Sequence, residues 1–219
     1  MNELITTLTI WALPVLLAIT LHEAAHGYVA HRFGDHTAYR LGRVSLNPLH
    51  HIDPVGTVLL PAGLVLLAAL TGGSAILFGW AKPVPVVFNN LRHPKADMLW
   101  VAGAGPAANL LMAIGWALLF KLAIVTPENA YTVPLMRMAD AGMQINTTLM
   151  VLNLLPLPPL DGGRMLVSLL PLRAARKLAA LEPWGFPILL LLVFTDVLSY
   201  ILWPLIALVR VLLATLFGF

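Results

Sequence analysis

Two histidines and a glutamate, in the run His22-Glu23-Ala24-Ala25-His26, are the residues of this chain best placed for chemistry. On a helix, His22 and His26 fall one turn apart on one face, because four residues are close to the 3.6-residue repeat. Two imidazoles so placed can share one tetrahedral metal ion, normally zinc. Glu23, beside the first ligand, can reach water at the metal rather than the metal itself and act there as a general base. These types at this spacing are those of a metal-dependent hydrolase. A plainer reading makes both histidines interfacial groups at a helix end, with Glu23 paired to Arg32 or another cation. The setting weighs against it. The motif closes an apolar run, Leu4 to Leu21, that belongs in lipid, where ionisable side chains are costly and usually functional.

Composition places the whole chain in that setting. Of 219 residues, 59% are hydrophobic and 11% charged, and the mean hydropathy is +0.87. Several runs exceed the roughly 18 to 20 apolar residues that cross a bilayer. The chain reads as an all-α polytopic membrane protein with no room for a sizeable soluble domain. The N-terminal run lacks a basic leading region and carries the histidine motif in its C-terminal half, so it does not read as a cleavable signal peptide. There are no cysteines, which excludes disulfides and thiolate ligands and leaves His, Asp, Glu or Asn for any metal. The net charge of +3 reflects loop cations rather than a nucleic-acid surface.

The elements that must position the motif follow from periodicity and breakers. Residues 3 to about 33 read as one helix, stopped at Gly34-Asp35. A polar loop runs to Pro54. Residues 55–78 are apolar but broken by Gly56, Pro61, Gly63 and Gly72-Gly73, and Pro83 and Pro85 keep the next stretch extended or looped. Residues 97–125 form a helix in which small residues at Gly103 and Ala107 allow close approach of a neighbour. Another helix covers 137–155, with Asn146 and Asn153 on it. It runs into Pro156-Leu-Pro-Pro-Leu-Asp-Gly-Gly-Arg164, which cannot stay helical. Residues 164–182 read as an amphipathic interfacial segment, and 184–218 as two short spans or one span and a hairpin.

Lys and Arg number three in 31–54, three in 79–97, none in 126–136 and four in 161–182. The positive-inside rule then puts the N-terminus outside and 126–136 outside, with the other three segments in the cytoplasm. By that rule segment 55–78 crosses twice or not at all, and at its length a re-entrant hairpin or buried loop is the expectation; the plainer reading is one ordinary crossing with a weak charge rule. His22 and His26 lie roughly 9 to 15 Å below the cytoplasmic interface, at about 1.5 Å per residue. Asp161, just past a Pro-rich break on a helix running inward, should reach a similar depth. It is the best third ligand on offer: Asp35 and Asp53 lie in loops, Asp97 and Glu182 sit where helix caps are expected, and Glu128 and Asp140 are on the other side. Asp196 lies in the membrane but has no neighbouring break to aim it inward. An Asp before Gly-Gly is also a common turn, which is the plainer reading of Asp161.

Together, His22-Glu-Ala-Ala-His26, Gly105-Pro-Ala-Ala-Asn109 and Asn153-Leu-Leu-Pro-Leu-Pro-Pro-Leu-Asp-Gly162 resemble the site-2 protease family of intramembrane zinc metalloproteases, in the family's order. The match covers residues 1 to about 170 and is strongest to the compact branch without a PDZ or CBS domain, which also carries sequences like His51-Ile-Asp-Pro-Val-Gly and Gly79-Trp-Ala-Lys-Pro-Val-Pro-Val. The resemblance implies zinc on His22, His26 and Asp161, Glu23 as catalytic base, and Asn109 and Asn153 as candidates for substrate or oxyanion positioning. It implies one membrane-embedded protease domain over 1–219, with a three-helix catalytic core in 1–170, further segments in 184–218 and about five to six membrane segments in all. The expected partner is a transmembrane protein substrate in the lipid bilayer of the cell membrane, cut from the cytoplasmic side. Two rivals compete. A silent scaffold of the same fold has no use for Glu23, and an ion or proton transporter would be expected to show an internal repeat and paired broken helices.

Overall fold

The computed structural model describes residues 2–59, 63, 66 and 82–219. Among them there is no strand. Helix α1 spans Asn2–Arg32, with Pro14 buried within it. Gly34, at φ +107°, turns the chain back in a conformation that a side chain would strain, and a short helical turn, α2, follows at Thr37–Arg40. Helix α3 spans Pro94–Val125, opened by Pro94 and by the Asp97 carboxylate, which takes the His93 N–H at 2.7 Å. That capping role is the one its sequence position suggested. Helix α4 covers Thr132–Asn153 and stops ahead of the Pro-rich loop. Helices α5 (Asp161–Leu169), α6 (Leu172–Ala179), α7 (Glu182–Phe194) and α8 (Val197–Phe217) complete the chain.

Helix α3 is the hub: α1, α4 and α5 all pack on it. Its contact with α4 is close because a Cβ at Gly142 would overlap the Trp116 indole. One apolar cluster joins Trp116, Met143 and Leu213, and another joins Met150, Leu189 and Ile206, so α8 and α7 close the bundle on the α4 side. Arg210 on α8 donates to Asp140 on α4, neutralising a charge on each helix.

Among the described residues, three helical stretches are long and apolar enough to cross a membrane: Ile5–Arg32, Pro94–Val125 and Val197–Phe217. A fourth is possible if α6 and α7, bent by 58°, form one span. This makes a multi-pass membrane protein. Of residues 55–78, only 55–59, 63 and 66 are described, so the expected re-entrant hairpin lies outside the described residues. Two expectations change. Helix α5 begins at Asp161, inside the Pro156–Arg164 stretch expected not to stay helical, because the Pro-rich part of that stretch ends at Pro159; the expected 164–182 segment falls mainly on α5 and α6, parted at Leu170-Pro171. Asp196 does sit at a break: it adopts φ 59° between α7 and α8, directly before the first residue of the second.

Candidate metal centre

His22 and His26 lie on the buried face of α1, and Asp161 is the first residue of α5. The structure brings the three together, although 135 positions separate His26 from Asp161 in the chain. The Nε2 atoms of the two histidines are 3.1 Å apart, and Asp161 Oδ2 lies 3.2 Å from His22 Nε2 and 3.3 Å from His26 Nε2. The rings meet edge-on, with an interplanar angle of 82°, so that their Nε2 edges converge. Among the described residues this is the one group of three His, Asp or Glu side chains so disposed.

The protons on these rings are fixed by their outer partners. His26 Nδ1 lies 2.7 Å from Val101 O, an acceptor only, so Nδ1 carries the hydrogen. His22 Nδ1 lies 2.5 Å from Asn109 Oδ1. The Asn109 amide is oriented in turn: its Nδ2 donates to Ala18 O and to Asn146 Oδ1, and Asn146 Nδ2 donates to Gly142 O. Two backbone carbonyls thus dictate which way both amides face, and His22 also donates through Nδ1. Neutral imidazoles protonated at Nδ1 have bare Nε2 lone pairs. Asp161 Oδ2 is likewise buried with no hydrogen-bond donor. With both rings neutral in this tautomer, three lone-pair donors converge. Their spacings match the edges of a tetrahedron with bonds of about 2.0 to 2.1 Å, which are about 3.3 Å long. The donor set fits zinc, and the Nδ1 partners are the outer hydrogen bonds that metal-bound histidines require.

The backbone comes close around the site. A Cβ on Gly105 would run into His26 Nε2 and the His22 ring. Gly105 is therefore the position of close approach, in place of Gly103 and Ala107: Gly103 meets Met165 at an ordinary 3.7 Å, and Ala107 is exposed. Asp161 is set by a different device. The loop Leu154–Leu160 folds so tightly onto α5 that a Cβ on Gly162 would meet Leu154 O and one on Gly163 would meet Pro158 N. Helix α7 presses on the same loop, since a Cβ on Gly185 would meet Pro158 O.

Glu23 is partly buried, and its Oε2 accepts the Val84 N–H at 2.7 Å. Asn153 donates to Leu149 O on its own helix. Two functional candidates escaped sequence reasoning. Asn146 is wholly buried and bonds to Asn109. Its signal was present, since it lies two turns before Asn153 on one helix face. Asp35 is wholly buried too, although it reads as a loop residue. Burial alone would raise its pKa, but hydrogen bonds from Thr37, Val87 and Asn90 outweigh that and hold it below the ordinary carboxylate value.

A model of peptidase family M50 matches residues 121–194, the stretch that carries Asp161. The whole-chain comparison decides the matter. A Bacillus subtilis protein named "Putative zinc metalloprotease YwhC" is 39% identical over 195 residues, covering 88% of this chain and 83% of that relative. The chain belongs to peptidase family M50. A Mycolicibacterium smegmatis protein named "Putative zinc metalloprotease Rip2" is 35% identical over 84% of this chain and 66% of its own length. The Mycobacterium tuberculosis H37Rv protein of the same name is 28% identical over 84% of this chain. No solved structure matches this chain at a significant level. As an M50 protein it is a metalloprotease with zinc as its cofactor, and the donor set described above fits that ion.

Proposed function

We propose that this M50 protein is an intramembrane endopeptidase that cuts peptide bonds in or near the transmembrane segments of other membrane proteins, as in regulated intramembrane proteolysis. His22, His26 and Asp161 are the zinc ligands and Glu23 is the general base. The observation that carries the reading is the convergence of a buried carboxylate oxygen on the Nε2 atoms of two histidines from a helix long and apolar enough to cross a membrane. Zinc, when bound there, supplies Lewis-acid polarisation and lowers the pKa of water toward about 7. The chain's own groups do the rest. His22 and His26 present Nε2 because Asn109 and Val101 O hold their Nδ1 hydrogens. Glu23 takes a proton from the attacking water and returns it to the leaving amine as the C–N bond breaks. Asn109, spent on His22, Asn146 and Ala18, acts by orienting a ligand. Asn153 is placed at the end of α4, where substrate contact would fall to its Oδ1.

The substrate helix must unwind locally, since its own hydrogen bonds shield its carbonyls. The cation pattern supports a cell-membrane protein with its N-terminus outside and its active site toward the cytoplasm. Residues 1–219 act as one domain in this reading, and the packing of Gly185 on Pro158 ties the segments after residue 184 to the Asp161 loop. The test is cleavage of a tagged single-span membrane protein by wild type and by Glu23→Gln, with zinc content measured in both. Glu23→Gln should keep its zinc and lose about 10²- to 10⁴-fold in turnover. Equal cleavage at equal zinc would overturn the reading. A silent scaffold predicts no product from either protein.

A further inference from the structure

We propose that the extended arm Lys82–Val87 is a positioning element for the Glu23 carboxylate, engaging it through the Val84 N–H, and that buried Asp35 fixes the arm in register. The inference rests on Glu23 being the general base. A glutamate has three side-chain torsions to settle before it can serve that role. The Val84 N–H settles one carboxylate oxygen at 2.7 Å and leaves the other free to work. Pro83 and Pro85 have no N–H, so Val84 carries the one donor between them. The Val84 side chain rests on α1 one turn further on: a Cβ at Gly27 would come within 3.0 Å of Val84 Cγ1.

The arm is tied at both ends. At its start the Lys82 N–H donates to His51 O at 2.9 Å, and Arg43 Nη2 donates to Lys82 O at 2.9 Å. At its end the Val87 N–H donates to Asp35 Oδ2 at 2.6 Å. The other Asp35 oxygen accepts from the Thr37 N–H, the Thr37 hydroxyl and Asn90 Nδ2. The Thr37 contacts close a local turn after α1. Val87 and Asn90 come from 52 and 55 positions further along the chain. Asp35 thus joins the end of α1, three turns past Glu23, to the arm that returns to Glu23. The Lys82, Val84 and Val87 N–H groups are all engaged inside the protein, so the arm is held at both ends and against Glu23.

The experiment compares zinc-loaded wild type, Val84→Pro, Val84→Ala, Asp35→Ala and Asp35→Asn on the same tagged membrane protein, with kcat, KM and zinc content read separately. Val84→Pro removes the donor from an already extended Pro-Val-Pro run, and kcat should fall about tenfold or more, as for a hydrogen bond to a charged group, with KM and zinc little changed. Val84→Ala trims the packing and keeps the amide, so its loss should be clearly smaller. Asp35→Ala should lower kcat, and Asp35→Asn, which keeps an acceptor, should recover part of it. Amide hydrogen exchange gives a readout independent of turnover: Glu23→Ala should speed exchange in the 82–87 peptide. Wild-type kcat in Val84→Pro, equal losses in Val84→Pro and Val84→Ala, or unchanged exchange in Glu23→Ala would each overturn the inference. If Val84→Pro does not fold, the exchange measurement decides alone. Full activity in Glu23→Gln would remove the base itself and so fail the function proposed above, whereas an inactive Glu23→Gln beside an active Val84→Pro would fail the arm alone.

Discussion

The two sides of the metal centre hold their ligands by different physics. On the helix side, His22 and His26 project from a regular α1 and are aimed by hydrogen bonds to Asn109 and Val101 O. On the loop side, Asp161 has no donor on Oδ2 and is aimed by backbone packing, with Gly162 and Gly163 pressed against Leu154, Leu155 and Pro158. Imidazoles need a chosen tautomer, so their support must be a hydrogen-bond acceptor. A carboxylate needs only a place, so shape is enough. The helix side should therefore be sensitive to polar substitutions and the loop side to added volume.

The largest effect should come where both demands meet. Gly105→Ala puts a methyl group into the space between the two rings, and zinc binding should be lost outright. Zinc retained at wild-type affinity would mean that α1 and α3 can part without cost, against the close packing of protein interiors. Gly162→Ala tests the loop side. Its methyl would meet Leu154 O, a backbone atom that can yield only by moving the loop and Asp161 with it. Thermal unfolding should show a loss of about 1 to 3 kcal/mol, as for overpacking elsewhere, with weakened zinc binding. Asn109→Ala tests the helix side and should weaken zinc about 10- to 100-fold, as for other outer-shell partners. Asn146→Ala acts one hydrogen bond further out and should cost less than Asn109→Ala. The reverse order for the two asparagines would show that the chain from Gly142 O to His22 is not what orients the ring.

Legibility in the sequence followed the same division. His22, Glu23 and His26 could be read because a four-residue spacing on a helix is local geometry. The long helices could be read because lipid demands a nearly continuous apolar run. Asp161 was reachable through a local signal too, a carboxylate just past a Pro-rich break. The contacts between helices were another matter. Gly105 matters because of the register of α3 against α1, which no single-helix pattern encodes, and reading α3 by itself favoured Gly103 and Ala107, whereas Asn146 shared a helix face with Asn153 but its partner Asn109 lies on another helix. Asp35 looked like a solvated loop residue because its burial is made by Val87 and Asn90, distant in the chain. Asp196 looked unbroken because a left-handed turn at a non-glycine residue leaves no mark on composition.

The central claim is that one zinc ion sits between two imidazoles of α1 and the carboxylate at the start of α5, with Glu23 beside it but not on it. Metal analysis of purified wild type, His22→Ala, His26→Ala, Asp161→Ala and Glu23→Gln tests that directly. The account predicts about one zinc per chain in wild type and in Glu23→Gln, as for a single three-ligand site, with a clear loss in each of the other three. Full zinc occupancy in Asp161→Ala, or loss of zinc in Glu23→Gln, would contradict it.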